Sequence, residues 1–226
     1  MDRLLIEDLK IWKDKSDRKP LILRGARQVG KTWLLKDFGE KCFKDICYVN
    51  FEQKDMLGKI FEGTLSPQRI IEQLSVFHGK KIQPQETLLI FDEVQELPRA
   101  LTSLKYFAEE APEYAICCAG SLLGVALHEG TSFPVGKVDF LDLYPLSFRE
   151  FLMANDEQML VDYIMSGNRD LKVFEEKLID YLKKYFIIGG MPAAILKWLD
   201  THDFFEVDDV QKQILSAYTN DFSKHA

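Results

Sequence analysis

The sequence predicts an α/β fold: a mainly parallel five-stranded sheet covered by helices on both faces, followed by an all-helical C-terminal subdomain. Three observations predict it. Short apolar runs, Leu21–Leu23, Ile46–Phe51, Leu88–Phe91, Ala115–Ala119 and Val138–Leu143, alternate with helical segments, and strands buried on both faces require such continuous runs. Gly25-Ala26-Arg27-Gln28-Val29-Gly30-Lys31-Thr32 reads G-x-x-x-x-G-K-T between the first run and a helix-like run opening at Trp33-Leu34-Leu35. Beyond about residue 155 the strand-like runs stop, and Leu171, Phe174, Leu178 and Leu182 recur at three- and four-residue steps, the period of a helix face.

In chain order, Leu4, Leu5, Leu9 and Trp12 predict an N-terminal helix, and Lys13 to Pro20 a charged connector, so residues 1–19 form a lead-in to the sheet. Ser66-Pro67 marks a helix start with a capping serine and a first-turn proline, and Ile70, Ile71, Leu74 and Phe77 supply its buried stripe. Pro98 opens a helix through Leu101, Leu104 and Ala108. Ser147 and Glu150 form an S-x-x-E capping box ahead of Phe151 and Leu152. Gly189-Gly190 interrupts the C-terminal helices, and Pro192 starts another through Ile195, Leu196 and Leu199. The domains are read as 1–155 and 156–226. No internal repeat or low-complexity segment is present.

A chain of 226 residues with 46 % hydrophobic and 29 % charged residues can bury a core and is not dominated by disorder. A net charge of −7 argues against binding nucleic acid by bulk electrostatics and leaves a nucleic-acid role undecided. Residues 1–31 nevertheless carry nine Lys/Arg against five Asp/Glu. Cys42, Cys47, Cys117 and Cys118 form no C-x-x-C pair, and His78, His128, His202 and His225 are scattered. This reads as reduced thiols in a cytoplasmic protein, without a zinc site. Neither a secretory leader nor an 18-residue apolar span is found, so no membrane span is expected.

G-x-x-x-x-G-K-T after a strand and before a helix is a phosphate-binding loop, and the chemistry explains the residue types. Glycines let backbone amides turn inward, the helix N-terminus adds partial positive charge, the lysine reaches the outer phosphates and the threonine hydroxyl can ligate Mg2+. Residues Gly25, Ala26, Arg27, Gln28, Val29, Gly30, Lys31, Thr32 and Trp33 are therefore the expected contacts of a nucleotide bound with Mg2+, and the loop by itself suits kinases, GTPases and switches alike. The Leu88–Phe91 run ends in Asp92-Glu93, at the strand end where ligands sit in parallel sheets. Asp92 would hold the metal together with Thr32, and Glu93 would polarise the attacking water. Lys31, Glu93 and Ser121 are the expected catalytic residues. Ser121 follows the fourth run, where its hydroxyl either contacts the γ-phosphate or caps the next helix.

At these residues the chain resembles prokaryotic AAA+-like ATPases of the LxGARQVGKT, LxxFDEVQ, GSxL, FPVGRVxFLxLYPLSFxEFL and GGxP type. The corresponding segments are Leu23 to Thr32, Leu88 to Gln95, Gly120 to Leu123, Phe133 to Leu152 and Gly189 to Pro192. The resemblance implies an ATPase of the additional-strand, catalytic-glutamate class. In it the phosphate-loop strand is central and the Asp-Glu strand is not directly paired with its sequence neighbour. Two departures stand out. Lys137 replaces the usual arginine after Pro-Val-Gly, either as an exposed edge residue or as a contact that loses the guanidinium fork. Similar proteins also commonly continue into a C-terminal domain of unknown function, whereas this sequence stops at Ala226, either truncated or lacking that domain.

The expected activity is Mg-dependent ATP binding and hydrolysis, coupled to movement of the helical subdomain or of a partner, with self-association or a protein partner. The alternative is an ATP-binding switch or scaffold with negligible turnover. A small-molecule kinase on the same loop is weaker, since no lid-like arginine cluster is evident. Arg99, Arg149 and Arg169 are arginine-finger candidates by position alone.

Overall fold

A computed structural model describes residues 1–52, 54–121, 134–167 and 171–225. The chain forms two compact units, one of Leu5–Ala26 with Gly30–Leu143, the other of Met1–Leu4, Arg27–Val29 and Tyr144–Ala226.

The first unit holds a sheet of β1 (Leu21–Gly25), β2 (Asp45–Asn50), β3 (Thr87–Asp92), β4 (Ala115–Ser121) and β5 (Asp139–Asp142). Its order is β2-β3-β4-β1-β5 and every pairing is parallel. The helices are α1 (Ile6–Asp14), α2 (Lys31–Cys42), α3 (Lys54–Ile60), α4 (Pro67–His78) and α5 (Pro98–Glu110). On one face Ile22, Cys47, Val49, Leu89, Phe91, Ile116 and Cys118 pack with Ile70 and Leu74 of α4 and Leu101, Leu104 and Phe107 of α5. Phe51, Phe61 and Phe91 meet edge to face there, with centroids 5.4 to 5.9 Å apart.

The alternate residues Leu21, Leu23, Leu88, Ile90 and Cys117 are also fully buried. Strand period 2 turns them to the opposite face, so both faces are covered. Helix α2 lies on that second face. A Cβ on its Gly39 would stand 2.7 Å from Ile46 and 3.2 Å from Leu88, closer than packed carbons come. Any larger residue there would require the Ile46 side chain to shift.

Three sequence expectations need correction. β3 is hydrogen-bonded to both of its sequence neighbours, β2 and β4; what it does not pair with is β1, because β4 lies between them. Likewise β1 is one strand from the edge rather than central. Ser66 occupies the N-cap of α4 with extended backbone, but its side chain makes no capping bond, and Pro67 alone marks the start. Helix α3 was not anticipated, being only two turns long.

The second unit contains α6 (Phe148–Ala154), α7 (Gln158–Met165), a 3₁₀ turn (Leu171–Phe174), α8 (Glu175–Ile188), α9 (Pro192–Thr201) and α10 (Phe204–His225). Its core gathers Leu146, Phe151, Ile188, Ala194, Ile195, Trp198 and Val207. The capping box forms as the sequence predicts: Glu150 N donates to Ser147 Oγ and Ser147 N to Glu150 Oε2, at 3.3 and 2.8 Å. Gly189 ends α8 at φ 73°, where glycine is unstrained. Gly190 packs so closely that an added Cβ would lie 2.3 Å from the Leu146 carbonyl oxygen, while Leu146 N donates to Gly190 O at 2.7 Å.

Candidate phosphate-binding site

β1 delivers the chain to Gly25, and α2 begins at Lys31, leaving a tight loop between. Gln28 (φ 65°) and Gly30 (φ 93°) take left-handed conformations within it. At Gln28 this is costly for a side-chain-bearing residue, and alternation of handedness in a loop aims successive amides at one point. Val29 is fully buried while Ala26, Arg27 and Gln28 are exposed. Trp33, on the first turn of α2, is 45 % exposed. The Lys31 ammonium is buried and donates to Gly25 O and Ala26 O at 3.0 and 2.9 Å, so it lies inside the loop.

The loop tip Arg27–Val29 belongs to the second compact unit. Arg3 Nη1 donates to Val29 O at 2.8 Å, and Tyr218 OH to Arg27 O at 2.5 Å. Arg3 is itself buried: Nε pairs with Glu150 Oε1 at 3.0 Å and Nη2 donates to Tyr144 O. Glu150 accepts further from Leu4 N and from both Ser147 donors. Burial alone would raise its pKa, but these hydrogen bonds and the Arg3 charge outweigh it and hold the carboxyl below its ordinary value.

Thr32 Oγ1 donates to Asp92 Oδ2 at 2.9 Å, closing the gap between two motifs that stand 60 residues apart. Tyr48 OH donates to the same Oδ2 at 2.7 Å, and Glu93 N to Oδ1 at 3.1 Å. Asp92 is only 5 % exposed. Glu93 sits in the left-handed region (φ 51°, ψ 45°). Gln95 Nε2 donates to Glu93 Oε2 at 2.5 Å, while Gln95 Oε1 is buried without a partner among the described residues. Ser121 ends β4 in register with Gly25, which puts its backbone beside the first loop residue.

Of the arginine candidates, Arg99 donates to Phe61 O at 2.6 Å and also to Gly63 O, tying down the loop between α3 and α4. Arg149 is exposed on α6, and Arg169 falls outside the described residues. Lys137 pairs with Glu109 at 2.9 Å and is partly exposed. Cys47, Cys117 and Cys118 are buried free thiols, and burial pushes that of Cys47 up to about 12, which keeps it protonated and inert.

Sequence reasoning did not find Tyr48, Arg3 or Gln95. Tyr48 reads as one more strand aromatic, Arg3 as part of a solvated basic lead-in, and Gln95 as the tail of a matched segment. A partner far along the chain distinguishes Tyr48 and Arg3, and the bond to Glu93, two residues back, distinguishes Gln95.

Among the described residues no three His, Cys, Asp or Glu side chains cluster to hold a metal by themselves. The oxygen donors Thr32 and Asp92 instead fit Mg2+, which takes one or two protein oxygens and completes its shell with phosphates and water. No described helix is long and apolar enough to cross a membrane.

A parallel sheet whose β1 runs through G-x-x-x-x-G-K-T into a helix, with Asp92 of β3 bonded to the motif threonine, defines a P-loop NTPase-type α/β protein. A family model described as an AAA domain matches residues 17–152, and the chain belongs to that family, with an AAA+-type ATP-binding domain. No curated protein matches the sequence. Among solved structures, Cdc6p from Pyrobaculum aerophilum is 15 % identical, with a TM-score of 0.43 over 67 % of this chain and 47 % of that one. Orc1 of Aeropyrum pernix, solved in complex with DNA, is 17 % identical, with a TM-score of 0.44 over 68 % of this chain and 47 % of that one. Drosophila ORC bound to DNA is 15 % identical, with a TM-score of 0.48 over 96 % of this chain and 66 % of that one. The chain thus spans less than half the length of the Pyrobaculum and Aeropyrum proteins.

Proposed function

We propose that this domain binds Mg-ATP and hydrolyses it, with nucleotide state read out by the C-terminal helices or by a protein partner. The observation that carries the reading is the 2.9 Å bond from Thr32 Oγ1 to Asp92 Oδ2, which joins the phosphate loop to the acidic strand end. Gly25 to Trp33 would cradle the phosphates, their amides and the Lys31 ammonium meeting the negative oxygens. Thr32 and Asp92 would hold Mg2+, which when bound neutralises charge on the phosphate oxygens. Glu93 would take a proton from the attacking water, its carboxylate steadied by Gln95 Nε2. Ser121, beside Gly25 in register, would meet the γ-phosphate.

Equilibrium binding and phosphate release test this together. Glu93→Gln should keep ATP affinity and lose about two to four powers of ten in turnover; undiminished turnover would remove Glu93 from the mechanism. Lys31→Ala should abolish binding.

A switch with negligible intrinsic turnover is the second reading. It is favoured by Arg99, whose guanidinium is committed to Phe61 and Gly63 carbonyls rather than free to meet a transition state. Turnover that rises faster than linearly with protein concentration would indicate a residue supplied in trans. Turnover at background throughout, with ATP still bound, would favour the switch.

A further inference from the structure

The phosphate loop and the acidic strand end account for Thr32 and Asp92, but not for the third group on the same carboxylate. Tyr48 comes from β2, a strand that neither motif includes. Its register partner on β3 is Ile90, so Asp92 lies two residues further along the same face. A phenol is long enough to cross that diagonal, and its hydroxyl reaches Asp92 Oδ2 at 2.7 Å. Its strand neighbours Cys47 and Val49 point to the opposite face and join the core there. Tyr48, like Ile46, therefore stands on the side covered by α2.

Helix α2 holds the ring in turn. The Lys36 ammonium lies 3.8 Å from the Tyr48 ring centroid, within the range of a cation–π contact. Lys36 is four residues after Thr32, so the two share one helix face. The result is a closed circuit: Thr32 to Asp92, Asp92 to Tyr48, Tyr48 to Lys36, and back along α2 to Thr32. Asp92 Oδ1 is meanwhile fixed by Glu93 N at 3.1 Å. With both oxygens engaged, the carboxylate has little freedom to rotate.

We infer that Tyr48, braced by Lys36, is a positioning residue that presets the Asp92 carboxylate and the Thr32 hydroxyl for a divalent cation bound with the nucleotide. The inference rests on the Mg-ATP reading above and adds a strand to the metal-binding corner. Partners of this kind, one step removed from the ligands, are generally worth 10- to 100-fold in metal affinity.

The chain and its Tyr48→Phe variant are titrated with ATP in EDTA and at stepped Mg2+. Phenylalanine keeps the ring and its cation contact, so only the hydroxyl is lost. The half-saturating Mg2+ concentration should rise about tenfold, with ATP affinity in EDTA changed less than twofold. Lys36→Met should move it the same way, by about threefold. A merely structural role would lower melting temperature or metal-free affinity and leave the Mg2+ midpoint alone, and a midpoint within twofold of wild type overturns the inference. Should Tyr48→Phe not fold, Lys36→Met decides by the same criterion. If the unaltered chain shows no Mg-dependent ATP binding, the functional reading falls and takes this inference with it. If it binds and Tyr48→Phe merely matches it, only the inference falls.

Discussion

Replacing Glu150 by alanine should be among the most damaging single changes in the C-terminal helical unit. Its carboxylate, 7 % exposed, accepts from Arg3 Nε, Leu4 N, Ser147 N and Ser147 Oγ at 2.8 to 3.0 Å. Removal leaves a guanidinium of 5 % exposure without its carboxylate, and two backbone amides without acceptors. Breaking a buried ion pair from one side costs about 3–5 kcal/mol. The lost capping box, about 1 kcal/mol by itself, involves the same atoms and is not added. Against a typical domain stability of about 5–15 kcal/mol this is a large fraction. Hydrogen exchange read by mass spectrometry localises the effect. Protection of α6 should fall by about two to three and a half powers of ten, provided exchange follows local opening. The Arg3→Met/Glu150→Met double variant should be more stable than Glu150→Ala, because it strands no charge. A loss under about 1 kcal/mol in Glu150→Ala would refute the claim that this pair anchors the unit.

Gly190→Ala should destabilise the same unit by more than about 3 kcal/mol, since the new Cβ would meet the Leu146 carbonyl oxygen at 2.3 Å and backbone must move; urea unfolding checks it. Acid should destabilise the protein through Glu150, whose folded pKa lies below the ordinary 4.5. Its contribution is complete above that value and disappears as pH falls through the folded pKa. The melting temperature should therefore hold level from pH 7 to about 5 and drop below about 4.5, less steeply in Glu150→Gln. Gln95→Ala should lower turnover about tenfold with ATP affinity kept, because Gln95 Nε2 is the donor on Glu93 Oε2; unchanged turnover would show that Glu93 needs no such support.

The sequence by itself determined the local features: five strands from apolar runs, the loop from its glycines and lysine, the capping box from Ser147 and Glu150. Each depends on neighbours within a few residues or on one repeating period, and both are visible along a line. Pairing across the fold is not. That β4 separates β1 from β3 is decided by which strands bury most surface together. That Tyr48 reaches Asp92, 44 residues away, depends on strand register. Arg3 shows the difference most sharply: on paper it is one cation in a basic lead-in, whereas the fold buries it against Glu150, 147 residues on, and aims it at Val29 O. A charge so placed is stable only where every donor is met, and only the tertiary structure brings those acceptors together.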